Sequence, residues 1–103
     1  MNIDREIAEK IMGWIDPDPV ESNMWCDKSH FPTSLKSMWH PSTDIKQAFE
    51  VVEKMREKGS IFTLCDQDPG EKPEWDAQFF SVIATDDTPA MAICLAALKA
   101  VEV

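Results

Sequence analysis

The chain has no tyrosine, only three glycines and only three cysteines among 103 residues, and each shortage excludes something. Three glycines cannot build a phosphate-cradling loop, and neither G-x-x-x-x-G-K-[ST], G-x-G-x-x-G nor G-x-S-x-G occurs, which removes nucleotide hydrolysis and dinucleotide redox chemistry. Cys26, Cys65 and Cys94 are odd in number and form no C-x-x-C pair, so they read as reduced thiols, with Cys65 and Cys94 as small core residues. Positive charge is scarce too. Ten Lys+Arg against nineteen Asp+Glu give a formal charge of −9, which repels phosphate backbones and anionic lipid surfaces, so no direct nucleic-acid or membrane partner is expected. The longest apolar run, residues 90–98, is far short of the roughly 20 residues that cross a bilayer. The start carries no basic or apolar leader region, so the expected location is the cytoplasm.

What is present is enough for a modest core. With 44% apolar residues, four tryptophans and five phenylalanines, the composition predicts one folded domain over residues 1–103. Ile3, Ile7, Ile11 and Trp14 recur at helical spacing, with Asn2 or Asp4 as cap, a Glu6–Lys10 pair and a stop near Gly13. Residues 16–41 are broken by Pro17, Pro19, Pro32 and Pro41, leaving room for a short strand near 35–39.

A second helix is expected from Ser42 as N-cap, with Ile45, Ala48, Phe49, Val52 and Met55 as its apolar stripe, a Glu50–Lys54 pair and Gly59 as its stop. Residues 60–66 and 75–84 read as a β-hairpin joined by a type II turn at Pro69-Gly70. Both strands are apolar on both alternations, which predicts a sheet covered on both faces. Thr88-Pro89 then caps and opens a helix whose 90–98 segment has no polar stripe. Either this helix is central in a monomer, or a homodimer forms through residues 89–101 at Ala92 and Ala96.

The constellations that could carry chemistry are weak. Cys26-x3-His30, with His40 nearby, offers three soft ligands where a structural zinc site needs four, so no metal and no cofactor are expected. The run from Asp66 through Gly70 to Glu71 lacks the glycine an EF-hand needs at its sixth position. Trp14, Trp25, Trp39 and Trp75 fall at element ends or in loops, where ligand surfaces form, and with His40 they are the candidate binding residues.

Gly13-Trp14, Trp39-His40-Pro41-Ser42-Thr43-Asp44, Val51-Val52-Glu53-Lys54-Met55 and the ending Thr88-Pro89-Ala90-Met91-Ala92-Ile93-Cys94-Leu95-Ala96-Ala97-Leu98 resemble the phage ABA-sandwich domain family over nearly the whole chain. The resemblance implies an α+β fold, an α-β-α layered sandwich of three helices and a small antiparallel sheet containing a hairpin. Members are small phage and prophage proteins of undefined function, and the resemblance brings no catalytic residues. The leading expectation is therefore a non-enzymatic phage accessory protein that binds a host protein in the bacterial cytoplasm. The alternative is sequestration of a small nucleotide-like ligand in a cleft lined by Trp14, Trp39 or Trp75. An enzyme using Cys26 and His40 comes third.

Overall fold

A computed structural model describes residues 2–18, 20–66 and 74–102. In chain order the elements are α1 (Ile3–Lys10), β1 (Met24–Cys26), β2 (Pro32–Leu35), a 3-10 turn (Lys36–Met38), α2 (Ile45–Glu57), β3 (Phe62–Asp66), β4 (Trp75–Phe79), β5 (Val82–Asp86) and α3 (Pro89–Glu102). The fold is α+β, with three helices and two antiparallel sheets, β1-β2 and β3-β4-β5.

The helix ends follow local chemistry. The Asn2 side chain accepts from the Arg5 amide at 3.1 Å to open α1, and Lys10 pairs with Glu6 at 2.6 Å. Past the end of α1, Gly13 has φ +74°, a conformation that costs glycine little, and the Trp14 amide returns to the Ala8 carbonyl. The N-cap of α2 is Asp44, not Ser42: its carboxylate accepts from the Lys46 and Gln47 amides. Ser42 is instead buried, and its amide donates to the Asp4 carboxylate at 2.9 Å. The other end of α2 closes in a Schellman motif, with Ser60 N–H to the Met55 carbonyl, Gly59 N–H to that of Arg56, and Gly59 at φ +95°. Lys54 pairs with Glu57 at 3.5 Å instead of Glu50. For α3, Thr88 Oγ1 accepts from the Met91 amide, and Pro89 takes the first helical position, where its missing N–H costs nothing.

Helix α3 is the centre of the molecule. It packs on β4 and β5 and against both α1 and α2. Ala92, Ile93, Cys94, Ala96 and Ala97 are fully buried, together with Ile7, Val51 and Phe79 from its neighbours. The alanines let the surrounding helices approach closely, while Met91 and Leu95 stay partly exposed. A homodimer through residues 89–101 has no free surface at Ala92 or Ala96.

Three strand expectations are corrected. The strand near 35–39 lies at residues 32–35, and 36–38 is a 3-10 turn. Strand β2 pairs with β1 across a register shift at Trp25/Cys26, and Ile15 bridges to Cys26. The run 75–84 is not one strand, because Phe79 pairs with Val82 and the chain reverses at Phe80-Ser81. Phe80 sits at φ +56° there, a conformation few bulky residues adopt, and the Gln78 side chain donates to its carbonyl.

The third correction concerns the faces of the sheet. Phe62, Leu64, Ala77, Phe79, Val82 and Ala84 share the face toward α3, while Thr63, Cys65, Ile83 and Thr85 on the other are exposed. Cys65 is therefore a surface thiol instead of a core residue. The buried stripe of α2 is Ala48, Val51, Val52 and Met55. Ile45 and Phe49 are exposed instead, and the Phe49 ring lies 6.2 Å from that of Phe62 on β3. The Pro69-Gly70 turn and most of the 66–71 run lie outside the described residues.

Candidate functional site

Three of the four tryptophans gather where the end of α1 meets β1, β2 and the 3-10 turn. Asp4 does much of the gathering. Its backbone carbonyl accepts from Trp39 Nε1 at 3.0 Å while its carboxylate accepts from the Ser42 amide, so residues 39–42 are pinned to α1 through the backbone and side chain of one residue. Trp39 is buried, and the half-buried Trp14 meets it edge-on with ring centroids 4.6 Å apart at 61°. Such a contact contributes about 1 kcal/mol beyond the area it buries.

Trp25, also buried, has two cations against its ring, with Arg5 5.5 Å and Lys36 Nζ 5.7 Å from its centroid. Both cations reach Asp16, whose side chain is only 4% exposed: Lys36 at 2.6 Å and Arg5 at 3.3 Å. The hydrogen bond from Lys36 holds the Asp16 carboxyl below its ordinary value of 3.8, outweighing burial, which acts the other way. Lys36 Nζ also donates to the Ser22 carbonyl at 2.8 Å. This charged knot ties Asp16 and Ser22 to Lys36 of the 3-10 turn beside the Trp25 ring.

Above it opens a cleft of about 520 Å³ lined by Met12, Trp14, Met24, Leu35, Met38 and Trp39. Gln47, Glu50, Thr33 and Ser34 supply its polar groups. Gln47 is committed in part: its side-chain oxygen accepts from the His40 amide, and its side-chain nitrogen donates to the Met38 carbonyl. Those bonds tie α2 to the far wall of the cleft. Met38 and Leu35 stand at the rim, 59% and 37% exposed. An apolar, aromatic hollow of this volume with a few directed polar groups has the build of a small-molecule site.

A family model described as the phage ABA sandwich domain matches residues 5–98. The chain belongs to that family. Among solved structures the domain is similar to a phage protein from Bacillus cereus ATCC 14579, with 23% identity, 98% of this chain and 85% of that chain covered, and a TM-score of 0.66, a likeness of fold. No curated protein matches the chain. No helix among the described residues of this phage ABA sandwich domain is long and apolar enough to cross a membrane.

The five candidate residues are thus divided in space. Trp14 and Trp39 line the cleft, Trp25 lies beside the charged knot, and Trp75 stands on β4 opposite Asp66 and Asp86, outside the cleft. His40 is exposed and enters only through its amide. Cys26 is buried while His30 is exposed at φ +66°, and among the described residues no group of three or more His, Cys, Asp or Glu side chains is placed to hold a metal ion. Buried Cys94 is pushed up to about 12, first by burial and then by Asp4, so it remains a protonated thiol.

Sequence reasoning missed three methionines of the cleft, Met12, Met24 and Met38, which come from three separate segments. It also missed a group of lysines beside the cleft, although Lys54 and Lys58, four apart on α2, were a visible like-charged pair.

Proposed function

We propose that this phage ABA sandwich domain is a non-catalytic binding protein that sequesters a small ligand with a flat, apolar ring in the cleft of Trp14 and Trp39. The observation that carries this reading is the cleft itself: about 520 Å³, walled by two tryptophans in edge contact and three methionines. Flat rings stack on the exposed part of an indole, and unbranched methionines adjust to the ligand's outline. Glu50, Thr33 and Ser34 are placed to orient donors on that ring. The test is quenching of tryptophan fluorescence by adenosine, guanosine, cytidine and uridine. At least one is expected to quench saturably in the wild type and several-fold less in Trp14→Phe. Linear, unsaturable quenching by all four would refute the reading.

A second reading, attachment to a host protein, is favoured by a different surface. Phe49, Ile61 and Phe80 are all more than 40% exposed beside β3, an edge strand of the three-stranded sheet. Exposed apolar groups along a strand edge suit pairing with a strand of a partner, and a net charge of −9 favours a basic one. Ile61→Lys together with Phe80→Lys would abolish such pairing and leave nucleoside quenching intact.

A further inference from the structure

On the other side of Trp14 lies a second hollow, of about 650 Å³, between the last turn of α1, residues 27–29 and the last turns of α2. Met12 and Trp14 line both hollows, so the apolar cleft and this one share a wall. Its lining differs in kind: Lys28, Lys54 and Lys58 line it beside Lys10, which is already paired with Glu6 at 2.6 Å, in a chain of net charge −9. Two carboxylates also line it, and both are engaged. Glu9 is paired with Arg5 at 2.9 Å, and Asp27 Oδ1 accepts from the Ser29 and Phe31 amides at 2.8 and 3.0 Å.

Lys28, Lys54 and Lys58 lack partners that close. Lys28 and Lys58 have no carboxylate within ion-pair distance among the described residues, and Lys54 has only the exposed Glu57 at 3.5 Å. Lys58 Nζ donates one hydrogen to the Ile11 carbonyl at the end of α1, at 2.9 Å, leaving two others for a ligand. Burial and then the neighbouring ammonium groups of Lys54 and Lys28 lower its affinity for the proton. Lys28 and Lys58, with no ion-pair partner of their own among the described residues, and Lys54 beside them repel one another, a cost that a bound anion would relieve.

We propose that this hollow is an anion site that takes the phosphate groups of a nucleotide whose base occupies the adjoining cleft, with Lys28, Lys54 and Lys58 as its cations. The base assignment rests on the reading of the cleft given above; the anion site stands on the lysines alone. A base against one face of Trp14 would send its sugar past Met12 and its phosphates into the lysine hollow. Lysine supplies point charges that suit a flexible phosphate chain.

Calorimetric titration tests this with pyrophosphate, the four ribonucleosides and their 5′-diphosphates, on the wild type and on Lys28→Gln/Lys54→Gln, which keeps the Lys58 bond to Ile11. At least one diphosphate is expected to bind about tenfold or more tightly than its nucleoside, the gain that even one charge-assisted hydrogen bond would give. The advantage should vanish in the double variant while nucleoside affinity holds. Pyrophosphate should bind the wild type, more weakly as salt rises, and should not bind the variant. If nucleosides bind but neither pyrophosphate nor any diphosphate gains, or the gain survives in the variant, the anion site is refuted and the cleft reading stands. If pyrophosphate binds through the lysines while no nucleoside binds, the anion site stands and the base assignment falls. Absence of binding by every probe overturns both.

Discussion

Replacing Asp16 by asparagine keeps the shape of the side chain and removes its charge, which isolates what the knot beside Trp25 contributes. The carboxylate is 4% exposed and accepts from Lys36 at 2.6 Å and Arg5 at 3.3 Å. Hydrogen bonds between charged groups are worth about 1.5–3 kcal/mol each, and leaving a buried charge unpaired costs more. Here the partners are partly solvated, with Lys36 23% and Arg5 43% exposed, so each can fall back on water. The expected loss is therefore about 2 kcal/mol at pH 7, or roughly 10 °C in Tm for a domain of this size.

The pH dependence gives a sharper signature. Folding lowers the Asp16 carboxyl below 3.8, so its stabilisation is present in full above that value and disappears as pH falls through the lower, folded value. Urea unfolding at a series of pH values should show wild type and Asp16→Asn converging below pH 3.8 and separating above it. A difference at pH 7 under about 0.5 kcal/mol, or one that does not change with pH, would refute the electrostatic account.

Asp44→Ala should destabilise the domain by about 1 kcal/mol in chemical denaturation, because two amides at the start of α2 lose their acceptor; Ser42→Ala, which keeps its amide bond to Asp4, should cost less than half of that. In the native protein a thiol reagent should modify Cys65 alone, with Cys26 and Cys94 reacting only in denaturant, as peptide mass mapping would show. Ala96→Glu places a carboxylate at a fully buried position and should unfold the domain by circular dichroism; a folded variant would show that α3 has a surface the structure does not give it.

How much of this the sequence carried depends on how local the determinants are. Helices α1 and α3 were legible because their signals lie within a few residues: Asn2 before an Ile3/Ile7/Ile11 stripe, and Thr88-Pro89 before an apolar run. The start of α2 was misplaced by two residues because Ser42 and Asp44 both suit a cap. What decides between them is Asp4, thirty-eight residues from Ser42 in sequence, which takes the Ser42 amide. Strands β1 and β2 were illegible for the same reason. They are three and four residues long, one begins with Pro32, and their surroundings are fastened by Asp16, Arg5 and Lys36 from distant segments. The reversal at Phe80 was hidden by its chemistry, since phenylalanine is a poor residue for positive φ and reads as strand. Tryptophan position pointed to Trp14 and Trp39, which line the cleft. It could not separate them from Trp25 and Trp75, because which ring faces a hollow is set by packing across elements.

The central claim is that the Trp14 and Trp39 cleft holds a small molecule, and native mass spectrometry of the domain after incubation with a bacterial metabolite extract tests it most directly. The comparison is with Leu35→Glu/Met38→Glu, which alters two partly exposed side chains at the rim and leaves the core untouched. The account predicts a discrete mass increase in the wild type, released on denaturation as a molecule with an aromatic ring, and its loss in the folded variant. No added mass in the wild type, or the same added mass in both proteins, would contradict it.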